Sequence, residues 1–147
     1  MKKTLLTLLL AVVAGWGPAQ AQPNAAGDPE AALYRALGGR AGIEGLMADF
    51  VPRLAADPRI AAKFKDSKLD NLRQQLSDQV CQLSGGPCRY EGNDMKAAHE
   101  DLGIRMADFN ALVEDLQLSM EARGIPFAVQ NRLLARLAPM HRDIVTR

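Results

Sequence analysis

Apolar residues recur along this chain at intervals of three and four, the spacing of one helix face, and no run alternates for long enough to suggest a strand. Leu33, Tyr34 and Leu37 predict a short helix over 29–37, ended by Gly38-Gly39, whose backbone can turn left-handed. Ile43, Leu46, Met47, Phe50, Val51 and Leu54 predict a second over 42–55, with Pro52 costing a hydrogen bond inside it. After Asp57-Pro58, residues 60–64 predict one more helical turn that ends in a buried aromatic, Phe64. Leu69, Leu72, Leu76, Val80 and Leu83 form one stripe of a helix over 68–83, stopped by Gly85-Gly86-Pro87. Asp94 caps a short helix bearing Met95, Ala98, His99 and Leu102, closed by Gly103 and dependent on packing for its stability. Residues 106–123 turn Phe109, Leu112, Val113, Leu116 and Met120 inward. A last helix takes Pro126 as its first position, carries Phe127, Val129, Leu133, Leu134, Leu137 and Met140, and is disturbed by Pro139. The expected class is all-α.

The amino-terminal pattern is of another kind. Lys2 and Lys3 precede an apolar run from Leu5 to Ala14, and Ala19-Gln20-Ala21 offers small residues for a signal peptidase. Residues 1–21 therefore predict a signal peptide, 22–28 a flexible leader, and 29–147 one domain with a periplasmic address. The run is too short for a bilayer of ~30 Å, and no cysteine stands at the cut to carry lipid, so no membrane anchor is expected. Of 18 basic residues, removal of the signal peptide takes two, leaving 16 against 17 acidic ones without a basic cluster, a poor basis for binding nucleic acid. In an oxidising compartment Cys81 and Cys88, seven positions apart, predict a disulfide stabilising the fold by roughly 2–3 kcal/mol. Two free thiols, with Cys81 buried at a helix end, are the other reading.

With two histidines in the chain, a zinc site built from several imidazoles is excluded, and no phosphate loop, HExxH or GxSxG motif is present. His99 shares a helix side with Met95 and Leu102, so its ring is expected in the interior. One imidazole facing an apolar space is what a single axial bond to haem iron requires, with the second ring nitrogen held by a backbone carbonyl. Phe50, Val51, Phe64, Leu72, Leu76, Ile104, Phe109, Val113 and Leu116 could sandwich the porphyrin. A packed or hydrogen-bonded helix histidine remains the alternative. His141, beside Arg142 and Asp143, reads as a surface residue or a cation at a helix end.

Taken in order, Leu33-Tyr34-Arg35-Ala36-Leu37-Gly38-Gly39, Asp49-Phe50, Asp57-Pro58-Arg59-Ile60, Phe64, Gly85-Gly86-Pro87, Tyr90-Glu91-Gly92, Asp94 to His99, Gly103-Ile104 and Phe109 resemble the group 1 truncated haemoglobins. The resemblance runs from about Leu33 to Val145. It implies a two-over-two helical sandwich holding haem b (iron protoporphyrin IX), with His99 as the proximal iron ligand. It also implies Phe64 packed on the porphyrin, Phe50 and Met95 in the cavity wall, and Lys96, Arg89 and Tyr90 near the propionates.

The family commonly places a tyrosine after the phenylalanine matched by Phe50, and glutamines on the helix above the iron. Here Val51 takes the first place and Leu72 and Leu76 the ligand-facing ones, with Gln74 or Gln75 offset to the cavity edge as the distal polar candidates. The resemblance thus implies a gas-binding haem protein whose apolar distal side holds oxygen loosely and favours carbon monoxide or nitric oxide. Alternatives from other classes are a haem-free helical interaction module, a weak peroxidase or nitric-oxide-detoxifying protein, and an electron-transfer protein with a periplasmic redox partner. In that last case Met47 or Gln75 would close the sixth position.

Overall fold

The computed structural model describes residues 29–147; the expected signal peptide and the 22–28 leader lie outside the described residues. The elements are α1 (Ala32–Ala36), α2 (Gly39–Ala56), a 3-10 turn (Ala61–Lys63), α3 (Leu69–Leu83), α4 (Met95–His99), α5 (Met106–Ala122), α6 (Phe127–Leu137), a second 3-10 turn (Ala138–Met140) and α7 (His141–Ile144). No strand occurs among the described residues. Helices α2 and α3 form one layer and α5 and α6 the other, a two-on-two sandwich with α4 and α7 packed together at its end.

The predicted stripes meet in one core. Ile43, Leu46, Met47 and Leu54 of α2 pack with Val80 and Cys81 of α3, Leu116 and Met120 of α5, and Leu133 of α6. Each fully buried aliphatic side chain stabilises the fold by about 1.5–3 kcal/mol relative to exposure. The departures from expectation lie at helix ends. Gly38 adopts the left-handed conformation (φ 85°), which lets α2 start three residues earlier than the periodicity suggests and leaves α1 only five residues. Pro52 is accommodated inside α2 because it and Ala48, whose carbonyl loses its donor, both sit on the exposed face.

Leu69 and Phe127, both expected to point inward, are 39% and 68% exposed. Each is the first residue of its helix and has no preceding turn for its side chain to lie against. Pro126 sits one position before α6 rather than in it. The expected last helix is broken, because Pro139 has no N–H for the carbonyl of Ala135, and the chain turns through Ala138–Met140 into α7. His141 therefore opens a new helix, so it stands at a helix end, one of the two places expected for it. Its ring is half-buried, edge-on to Phe109 at 6.3 Å, with Nδ1 2.8 Å from the Ala138 carbonyl oxygen.

The cysteines form a disulfide, Cys81 to Cys88, with Cα atoms 5.7 Å apart. It joins the last turn of α3 to the loop before α4, and the Arg40 guanidinium donates to the Cys88 sulfur at 3.3 Å while pairing with Asp78.

Candidate functional site

Between the layers lies a cavity of about 600 Å³, walled by α2, α3, α5 and α6 and closed by α4 and the 3-10 turn before Phe64. Helix α3 presents Leu72, Gln75, Leu76, Gln79 and Val80 to it, the i, i+3, i+4, i+7, i+8 positions of one face. Phe50 and Met47 enter from α2, Phe109, Leu112, Val113 and Leu116 from α5, and Leu134 and Leu137 from α6. A smaller adjoining cavity of about 110 Å³ shares Phe64, Leu72, Leu76, His99 and Phe109 and adds Leu54, Ile60 and Ile104.

His99 lies in the wall of both cavities. Its Nδ1 is 2.7 Å from the carbonyl oxygen of Met95, one helical turn back. The Nδ1–H tautomer satisfies that carbonyl and leaves Nε2 with its lone pair for a ligand. Asp94 orders this one-turn helix by accepting from the Ala97 N–H at 2.8 Å.

The mouth of the cavity is polar, with Ser67, Lys68, Asn71, Gln75, Tyr90 and Asn93 around it. Tyr90 donates its hydroxyl to the Asn93 carbonyl oxygen at 2.8 Å, and its N–H donates to Gln82 Oε1 at 2.7 Å. Burial raises the Tyr90 phenol above its usual range, and the charge on Asp94 adds to the effect. Gly92 lets this loop lie on α3, since a Cβ there would overlap the Tyr90 hydroxyl and the Gln75 amide oxygen.

Of the residues expected at the site, Phe50, Phe64, Leu72, Gln75, Leu76, Tyr90, Met95, His99, Phe109, Val113 and Leu116 line the main cavity, and Ile104 the smaller one. Three line neither. Val51 is buried in the core on another side of α2, because one helical step from Phe50 turns the side chain by a hundred degrees. Lys96 is exposed, its ammonium carried to water while Met95 and His99 take the inner side of α4. Gln74 is exposed on the far face of α3 and donates to Asp78 Oδ2 at 3.0 Å. Arg89, expected near carboxylates, is exposed beside Glu91. Lys68 and Asn71 stand at the mouth instead.

Sequence reasoning missed Gln79. It is 8% exposed, and its amide Nε2 donates to the Met95 sulfur at 3.2 Å, with the Met140 sulfur at 4.0 Å. Its position seven residues after Leu72 was the available signal.

The turn that carries Phe64 is organised by Asp57. The Asp57 main-chain oxygen accepts from the N–H groups of Ile60 and Ala61, at 3.1 and 2.7 Å, and its carboxylate accepts from the Arg59 N–H. Arg59 holds the Asp57 carboxyl below its ordinary value. Asp115 on α5 is 4% exposed, and its Oδ2 has no hydrogen-bond partner. Burial, and then the charge on Asp57, push its carboxyl up.

Among the described residues no three or more His, Cys, Asp or Glu gather. An iron held at His99 would thus take its other ligands from a cofactor. A flat macrocycle fits this place: the long walls are apolar, one free imidazole nitrogen faces in, and the polar mouth offers an ammonium and amides to acidic substituents.

An all-helical two-on-two sandwich with one interior histidine defines a small globin. Comparison with known proteins agrees: the family model for bacterial-like globin matches residues 32–146. The group 1 truncated haemoglobin of Tetrahymena pyriformis is 27% identical over 113 residues, covering 77% of this chain and 93% of the relative. That of Synechocystis is 30% identical over 98 residues, 64% of this chain and 79% of the relative. Among solved structures, the Fe(III) form of the Tetrahymena pyriformis protein superimposes with a TM-score of 0.75 at 27% identity, covering 78% of this chain and 98% of that one. A Synechococcus 2/2 haemoglobin, in the cyanomet state with covalently attached haem, gives 0.74 at 26% identity over the same shares. The chain belongs to the bacterial-like globin family, within the group 1 truncated haemoglobins.

Proposed function

We propose that this protein binds haem b in the main cavity through His99 and takes up a diatomic gas on the side facing α3. The observation that carries the reading is the His99 imidazole in the cavity wall, with Nδ1 2.7 Å from the Met95 carbonyl oxygen and Nε2 available. Family membership supports it. When bound, haem supplies the iron at which a diatomic ligand coordinates. The chain's own residues do the rest: Phe64 and Phe109 pack on flat apolar surface, Lys68 and Asn71 meet carboxylates at the mouth, and the apolar walls exclude water.

On the side facing α3, Leu72 and Leu76 present apolar surface and Val51 turns away, while Gln75 stands at the mouth and the Gln79 amide is turned to the Met95 sulfur. Oxygen, which acquires negative charge at iron and gains from a hydrogen bond, is held less well there than carbon monoxide or nitric oxide. No carboxylate lines the main cavity among the described residues, so peroxidase chemistry has no acid–base group at hand, which favours binding over turnover. The signal peptide expected over residues 1–21 directs the protein to the periplasm, where the Cys81 to Cys88 bridge is stable.

Absorption spectra of the protein expressed with ample haem, in ferric, ferrous and carbon monoxide forms and beside His99→Ala, test the reading. A Soret band that shifts with reduction and with carbon monoxide, and is lost or altered in His99→Ala, is expected. A folded protein that takes up no haem overturns it and returns the chain to the helical interaction module. Low-spin iron without added ligand would point to electron transfer instead.

A further inference from the structure

Lys63 closes the 3-10 turn that delivers Phe64, and its ammonium crosses to the loop that follows His99. Nζ donates to the main-chain oxygens of Leu102 and Gly103, at 2.7 and 3.2 Å. The Leu102 N–H donates in turn to the His99 carbonyl oxygen at 3.0 Å. One ammonium thus ties the Phe64 turn, on one side of the cavity, to the His99 turn on the other. The smaller cavity lies directly behind this tie, bounded by Ile60 and Phe64 from the first turn and by Leu102 and Ile104 from the second. The facing charge is Asp108, which Lys63 helps hold ionised and which Arg105 already pairs with at 2.9 Å. The ammonium is therefore committed to the two carbonyls at this edge.

We propose that Lys63 is a gate residue, whose tie must open for haem to pass this edge of the cavity, so that it sets the rates of haem entry and loss together. The inference rests on the haem reading above and adds a kinetic device to it. The tie runs between main-chain segments across the rim. A bond that is intact before and after passage and broken only during it changes both rates by the same factor, whereas a contact made to the cofactor changes dissociation alone. Ammonium–carbonyl bonds are charge-assisted, and at a partly exposed rim water can replace them, which makes the tie breakable on the time scale of ligand exchange.

The test compares Lys63→Met, which keeps the methylenes and loses the ammonium, with Lys63→Arg, which keeps the cation. Haem uptake by the apoprotein and haem transfer to excess apomyoglobin give the two rates. Amide hydrogen exchange of residues 101–105 in the apoprotein gives a readout that needs no haem. Both rates should rise in Lys63→Met by a common factor, roughly fivefold to fiftyfold for two such bonds. The loop amides should exchange faster while those of α5 do not, and Lys63→Arg should recover most of the effect. Faster dissociation alone, or two unchanged rates in a variant that still loads, overturns the gate and leaves the haem reading intact. Absence of haem uptake by the unsubstituted protein overturns both.

Discussion

Gln79 of α3 donates its amide to the sulfur of Met95 on α4, at 3.2 Å, and the Met95 carbonyl is the group that orients His99. A buried primary amide whose acceptors are two thioethers is poorly compensated for the water it gave up, since sulfur is a weak acceptor. Gln79→Leu should therefore stabilise the apoprotein by about 1 kcal/mol in urea unfolding. Destabilisation of that size would show that the amide is better satisfied than its sulfur contacts suggest. If haem binds as proposed, the same substitution should alter the ferrous spectrum, because it loosens the link between α3 and the helix that carries His99.

The α3 face at Leu76 lacks a donor, and Leu76→Gln supplies one within the cavity wall. Oxygen dissociation from the ferrous protein should slow roughly tenfold, the effect of one hydrogen bond worth about 1.4 kcal/mol, with carbon monoxide dissociation nearly unchanged. Flash photolysis and stopped-flow mixing measure both. Equal slowing for the two gases would count against a polar cause.

Cys81 is fully buried and Cys88 partly so, and their bond closes α3 onto the loop that leads to α4. Replacing both by serine, or verified reduction, should lower unfolding free energy by about 2–3 kcal/mol. Haem should be lost faster, because the loop carrying Tyr90 and the start of α4 are no longer anchored. Unchanged melting and retention after confirmed reduction would reject a clamping role.

Two buried carboxyls give opposite pH dependences. Asp115 is raised by burial, so the native state keeps a proton that the unfolded chain releases. Its contribution is fully present below the ordinary carboxylate range and is lost as pH rises through its elevated value. Asp108 is lowered from 3.8 to about 2 by Arg105, so its contribution is present above 3.8 and is lost as pH falls through about 2. Urea midpoints measured from acid to neutral pH should show both limbs. Asp115→Asn, neutral at every pH, should remove the decline on the higher-pH side and leave the acid limb in place.

The helices were legible because burial against a neighbour imposes the 3.6-residue period on the chain, and α2, α3, α5 and α6 all show it. The start of the short α4 was legible from Asp94 at its cap, and the shared side of Met95 and His99 followed from their spacing. Its end was not, since α4 stops at His99 and Leu102, expected on the helix, lies in the turn that follows and is 41% exposed. The split of the last helix was foreshadowed by Pro139, but where the chain went afterwards was not, since that depends on α7 finding α4.

By itself the sequence determined the helical class, the order of the elements, the cysteine pair within bonding distance and the one interior-facing histidine of α4, all properties of neighbours along the chain or of one helix face. Tertiary structure alone decided that Val51, Lys96 and Gln74 stand outside the cavity while Gln79, Lys68 and Lys63 line it. The reason is rotational. A periodic pattern says which side of a helix is apolar, but the rotation of each helix against its partners, and the reach of a long polar side chain across a rim, follow from packing among segments distant in sequence.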